Sequence, residues 1–194
     1  MRRTPTPPRS LKSRALQLLA QRDQSRLELR RKLLRHARIA ANAATVSAGD
    51  GPEALADGDD APVVAAADEV DAVLDWLEAN GYLSSERFVE SRVHAREARF
   101  GNQRIKSELA QHAVNLTPEL AAHLVATEMA RAAAVRSRRF GPSPRDVAER
   151  AAQSRFLAAR GFSPEVVHRL MRELASARRG AAAEAGTETE TDAR

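Results

Sequence analysis

Arginine is the residue type best placed to do chemistry in this chain. Arg26, Arg30, Lys32 and Arg35, with Arg31 beside them, recur along one predicted helix opposite Leu29 and Leu33. That spacing lines up guanidinium groups able to bind phosphates or carboxylates through paired hydrogen bonds. Arg136, Arg138 and Arg139, followed by Arg145, Arg150 and Arg155, form a second series. An arginine-rich helix face is equally the ordinary solvated surface of a soluble protein, so both series are candidates for contact with a partner. Phe140 alone, in the second series, is an aromatic among these arginines. No base-stacking platform is therefore expected, and nucleic acid would be held by its backbone without regard to base sequence.

Other chemistry has little foothold. The chain has no cysteine, which excludes disulfides, thiolate metal sites and cysteine nucleophiles and suits a reducing compartment. His36 and His112 fall near expected helix ends, where an imidazole can bond free carbonyls or complement the helix dipole. Neither has a second ligand three or four residues on, so no metal and no cofactor are expected. Trp76 with Tyr82 and Phe88 could anchor a partner, but aromatics beside so regular a helical stripe more often pack between helices. The sequence contains no GxxxxGK[ST] loop, GxGxxG turn, GxSxG elbow or HExxH pair, and an enzyme is not expected.

The elements that must position these residues are helical. Aromatics make up 4% of 194 residues, and the abundance of Ala, Leu, Arg and Glu favours helices packed through aliphatic stripes. Nine helices are predicted: 11–22, 25–37, 68–80, 85–99, 102–113, 117–125, 126–139, 143–160 and 163–174. Ser25 and Glu28 form a capping box. Val70, Val73, Leu74 and Leu77 make a clear buried stripe, which Asn80-Gly81 ends. Thr117-Pro118-Glu119, Ser143-Pro144-Arg145-Asp146 and Ser163-Pro164-Glu165 each announce a helix start. Leu29, Leu33, His36 and Ala37 share their spacing with Ile105, Leu109, His112 and Ala113, and Leu157, Arg160 and Gly161 repeat its end. The expected fold is therefore all-α: three tandem three-helix repeats stacked into an elongated, curved, solenoid-like array.

Repeat 1 is placed at 10–83, repeat 2 at 84–125 and repeat 3 at 126–175, with disordered ends at 1–9 and 176–194. An acidic, Ala/Gly/Asp/Pro-rich stretch at about 39–67 reads as a flexible insert within repeat 1. Charge is uneven along this plan. Residues 1–38 carry 12 Lys/Arg against 2 Asp/Glu, residues 39–69 carry 7 acids and no Lys/Arg, and residues 126–175 carry 10 Lys/Arg against 5 acids. Two basic regions flanking a near-neutral middle suit a polyanion or an acidic protein surface as partner. The N-terminus leads into no apolar stretch, so neither a signal peptide nor a membrane contact is expected. A monomeric cytoplasmic protein follows.

The run from Val73 to Leu83 (Val-Leu-Asp-Trp-Leu-Glu-Ala-Asn-Gly-Tyr-Leu), continuing through Arg87-Phe88, Gly101, Arg104-Ile105 and Glu108-Leu109, resembles the RecX family. So do the flanks, Ala15 to Leu19 with Ser25 to Leu33 and Phe156 to Pro164, and the resemblance covers about residues 11–174. It implies a regulator that binds the RecA filament on single- or double-stranded DNA. It further implies that this regulator modulates, and mainly inhibits, recombinase, ATPase and co-protease activities in DNA repair, recombination and the SOS response. The chain departs from the family pattern at Ser84-Ser85, where an acid is usual, and at His36-Ala37 and His112-Ala113, where a basic residue and a glycine are usual. Each missing glycine removes the easy left-handed turn at a helix end. Two other readings fit the residues: a sequence-independent DNA-binding helical module acting without RecA, and a helical-repeat scaffold for another protein.

Overall fold

Ser10 caps the first helix, its hydroxyl accepting from the Ser13 amide. The computed structural model describes residues 10–47, 61–141 and 143–191. Among them are eight helices and no strand: α1 (Leu11–Leu19), α2 (Arg26–Ser47), α3 (Ala61–Ala79), α4 (Ser85–Glu97), α5 (Asn102–Gln111), α6 (Pro118–Phe140), α7 (Val147–Ala159) and α8 (Pro164–Thr191). The all-α expectation holds. The chain divides into two compact units, one up to Phe88 with His112–Val114, the other Val89–Gln111 with the chain from Asn115 onward. The division falls inside α4.

In the first unit Leu11, Ala15 and Leu18 of α1 meet Leu29 and Leu33 of α2 and Val70, Leu74 and Leu77 of α3, all buried. These are the stripes the sequence periodicity requires, since residues three and four apart share a helix face. Gly81 takes φ +72°, the left-handed stop expected after α3. The second unit is built around Ala132 and Val135 of α6, Leu157 of α7, and Phe162, Val167, Leu170 and Met171.

Several boundaries differ from expectation. The predicted helices 117–125 and 126–139 are one helix, α6, because Ala and Leu run through the junction with no breaker between them. Helix α7 starts four residues later than expected. Asp146, not Ser143, is its cap, and the Asp146 carboxylate accepts from the Glu149 amide at 2.7 Å. Parts of the stretch assigned to a flexible insert are helical: α2 continues to Ser47 and α3 begins at Ala61. Alanine's helix propensity suffices there without large apolar residues. Residues 48–60 of the insert lie outside the described residues. The tail expected to be disordered from 176 continues α8 to Thr191, and the expectation for 1–9 falls outside the described residues. His36 therefore sits inside α2 rather than near its end.

Candidate functional site

The first basic series lies on α2, but three of its members are already engaged. Arg30 makes a bidentate pair with Asp71 of α3, at 2.7 and 2.8 Å. Arg26 reaches Asp75 at 2.7 Å and Glu78 at 2.6 Å. The three acids, spaced four and three apart, form a stripe on α3 facing the arginine row. Lys32 contacts Gln24 and Glu28, each at 2.8 Å, and Arg22 bonds Glu28 as well. Burial works against the Arg26 charge, yet Asp75 and Glu78 outweigh it and raise its pKa. Burial likewise opposes ionisation of Glu28, but Lys32 and Arg22 bring its pKa below the ordinary value. The hydrogen bonds from Arg30 hold Asp71 below its ordinary value. As a free binding face, then, Arg26, Arg30 and Lys32 are corrected: their charge is largely spent within the unit. Arg31, Arg35 and, beyond the predicted set, Arg38 are exposed. Their side chains make no hydrogen bond or ion pair with other described residues.

In the second unit Arg136 is a correction too. It is 4% exposed and donates to the Gln153 side chain at 2.8 Å and the Gly141 carbonyl at 2.9 Å. Desolvation lowers its pKa. It therefore joins α6 to α7 and the Gly141 turn and is not available to a partner. Arg138, Arg139, Arg145, Arg150 and Arg155 are exposed, and their side chains have no polar partner among the described residues.

Of all the sequence candidates only Arg150 lines an open groove in this unit, about 1720 Å³ in volume. Lys106 of α5 and Arg169, Arg172 and Arg179 of α8 line it as well, and Val125 of α6 and Val147 of α7 expose apolar surface into it. Glu165 and Glu173 are its unburied acids, so cations outnumber anions. Such a rim can bind phosphate or carboxylate oxygens, and the exposed valines can bury against apolar groups of the same ligand. The sequence reading missed Lys106, Arg169 and Arg172. Lys106 stands on α5 and Arg169 and Arg172 on α8, outside both arginine series, and what joins them to Arg150 is the alignment of α5, α7 and α8 rather than any run of residues.

One buried carboxylate positions the groove walls. Glu128, 4% exposed, accepts from the Asn102 amide at 3.1 Å and the Ser163 amide at 3.0 Å through Oε1. Its Oε2 accepts from Asn102 Nδ2 at 2.9 Å and from the Ser163 hydroxyl at 3.0 Å. It thus serves the starts of α5 and α8 together, where unpaired amides and the helix dipole favour a negative charge. Ser163 was expected to cap α8 with its own hydroxyl, which instead donates to Glu128. Arg131, from the next turn of α6, bonds the carbonyls of Phe100 at 2.8 Å and Leu124 at 2.9 Å, and Asn102 Oδ1 at 2.5 Å. Desolvation lowers the Arg131 pKa, against the opposing pull of Glu128 and Glu97. Gly101 and Gly161 let the two chain segments touch: the Gly101 amide donates to the Arg160 carbonyl at 3.0 Å, and a Cβ on Gly101 would lie 2.2 Å from the Phe162 amide nitrogen.

Residues 126–171, which carry Glu128, Arg131, Arg136, Arg150 and Arg169, match the family model of the third three-helix domain of RecX. The regulatory protein RecX of Ralstonia nicotianae is 45% identical over 86% of this chain and 89% of its own length. The chain belongs to the RecX family. Regulatory proteins RecX from Ralstonia pickettii and Herbaspirillum seropedicae are 43% and 44% identical, over 86% and 87% of this chain and 89% and 91% of theirs. The resemblance noted between Val73 and Leu109 thus reflects membership of a family of regulatory proteins, and RecX-type sequence extends over both units. Within this RecX-family chain no helix among the described residues is long and apolar enough to cross a membrane. No group of His, Asp and Glu among them could hold a metal ion.

Proposed function

We propose that this protein binds the RecA nucleoprotein filament and restrains it, lowering strand exchange, ATP turnover and co-protease activity. The observation that carries this reading is the groove of the second unit, where Lys106, Arg150, Arg169 and Arg172 stand exposed around apolar surface. It sits in a chain whose relatives are named regulatory proteins RecX. Cations without internal partners on a rigid frame suit a nucleoprotein, which presents phosphates and acidic side chains side by side. Arg31, Arg35 and Arg38 on α2 add a second, smaller contact. In this reading the protein works in the cytoplasm as a monomer without a cofactor, through tandem helical repeats at 10–83, 84–125 and 126–175, the last two sharing α6. Contact of these cations with single- or double-stranded DNA is to the backbone.

The test is RecA's single-strand-DNA-dependent ATP hydrolysis at rising concentrations of this protein, with its binding to the same DNA measured alone in parallel. Inhibition is expected well below the concentration that coats bare DNA. A double Arg150→Glu, Arg169→Glu variant should lose most of that inhibition while keeping its melting temperature. Inhibition only at coating concentrations would instead favour a DNA-binding module that acts without RecA. Unaltered hydrolysis at saturating protein would reject the regulator.

A further inference from the structure

We propose that Tyr82 is a stacking platform for one unpaired nucleobase, so that the first unit distinguishes a single strand by its bases and not only by its phosphates. The arginine series themselves predict no such platform. The fold creates one by bringing Tyr82, beyond the end of α3, back onto Trp76 within it.

The Tyr82 ring stacks on the Trp76 indole with centroids 5.5 Å apart and planes 24° apart, yet Tyr82 is 50% exposed. Its backbone is fixed. Gly81 turns the chain at φ +72°, the amides of Tyr82 and Leu83 both donate to the Leu77 carbonyl at 2.9 and 3.1 Å, and Leu83 is buried. Arg87 closes the turn by donating to the carbonyls of Gly81 and Tyr82. A ring held this firmly loses little conformational freedom when a ligand stacks on it, the property that makes aromatic side chains effective contacts. Trp76 for its part packs against the core of the unit.

The surrounding charges favour a nucleotide. Lys12 is exposed and places its ammonium 3.1 Å from the Trp76 ring centroid. The Arg87 side chain is 49% exposed beside the Tyr82 carbonyl, with Asp23 at 3.7 Å. The acids nearest the indole in sequence, Asp75 and Glu78, are both engaged by Arg26 and so repel a phosphate less than free carboxylates would. A protein hot spot would call for apolar neighbours around the ring. Among the described residues of this unit the other exposed large hydrophobic is Ile39, on the extension of α2. A stacked base with a flanking phosphate better fits an exposed aromatic whose stacking partner carries Lys12 and whose backbone carbonyl holds Arg87.

The proposal relies on the reading of the chain as a nucleoprotein regulator only for the choice of ligand, and its test needs no RecA. Trp76 is the only tryptophan, so its emission reports events at Tyr82. The full-length protein is titrated with oligo-dT and with an abasic strand of equal length, which carries the same phosphates without bases. Oligo-dT is expected to change Trp76 emission and to bind at least about fivefold tighter than the abasic strand, the lower end of what one base–aromatic stack contributes. Tyr82→Phe should keep the difference and Tyr82→Leu should abolish it, each with an unchanged far-ultraviolet dichroism spectrum. Equal affinity for the two strands, no binding of oligo-dT, or a difference that survives Tyr82→Leu would each overturn the proposal. None of these results would touch the groove of the second unit. If Tyr82→Leu weakened inhibition of RecA while oligo-dT binding stayed intact, the ring would be assigned to a protein contact and the proposal rejected.

Discussion

The two units handle charge in opposite ways. In the first, Arg26 and Arg30 pair with acids across a solvent-facing seam, and the Asp75 side chain remains 70% exposed. In the second, Glu128 and Arg136 are buried, Arg131 is partly so, and each is satisfied by a mixture of side chains and backbone groups at helix ends and turns. Surface pairs gain little because water and salt screen them, whereas a buried charge is costly to leave unpartnered. An arginine in this sequence is thus structural in one unit by burial and merely neutralised in the other by proximity. The residues free to meet a partner are those that escape both fates.

The contrast can be broken most directly at Glu128. Glu128→Ala removes four hydrogen bonds from two helix starts and should cost about 3–5 kcal/mol in urea denaturation, as expected for uncoupling a buried charge. A loss below about 1 kcal/mol would mean that this carboxylate is no more important than a surface one. Next in size is a pair at positions that match in the internal repeat. Gly161 takes φ +78°, and a Cβ there would lie 2.5 Å from the Arg104 Cβ, whereas Ala113 takes φ +55° with its Cβ already present. Gly161→Ala should lower the melting temperature strongly, and Ala113→Gly should raise stability by about 1 kcal/mol, because only glycine adopts that region without strain.

Arg136→Met should then cost about 2 kcal/mol by stranding Gln153 and the Gly141 carbonyl. Arg26→Met should cost less than about 1 kcal/mol, the range of exposed pairs. Paired thermal melts at low and high salt would check this, with salt eroding the Arg26 contribution and sparing that of Arg136. The smallest effect is in acid. Glu28 and Asp71 have pKa values depressed below 4.5 and 3.8 in the fold, so each adds stability above those ordinary values and loses it as pH falls through its folded value. The melting temperature should therefore decline below about pH 4.5, and Glu28→Gln should flatten part of that decline.

Much of this was legible in the residues. Leu29 and Leu33, like Ile105 and Leu109, are buried where the repeat places them, and Thr117 caps α6 through the Leu120 amide. The capping box was half right: the Glu28 amide donates to Ser25 Oγ, but the Glu28 carboxylate turns to Arg22 and Lys32. The binding site was less legible, for a physical reason. Periodicity reports which face of a helix is polar, and it is silent on what the neighbouring helix presents to that face. Asp71, Asp75 and Glu78 read as ordinary surface acids until α3 lies against α2. Arg136 looks like its neighbours Arg138 and Arg139 until the turn after α6 brings the Gly141 carbonyl to it. Lys106, Arg169 and Arg172 belong to one groove only after α5 and α8 have been drawn together.

The double duty of Glu128 bears on how the second unit breathes. One carboxylate ends two sets of orphan amides, so opening α5 at Asn102 frees the acceptor that Ser163 depends on, and opening α8 does the same in reverse. Amide hydrogens at the two starts, 61 residues apart in sequence, should exchange with solvent at a common rate, as members of one cooperative opening event. The groove walls on which Lys106 and Arg169 stand would then come and go together, so a partner meets that face either whole or not at all.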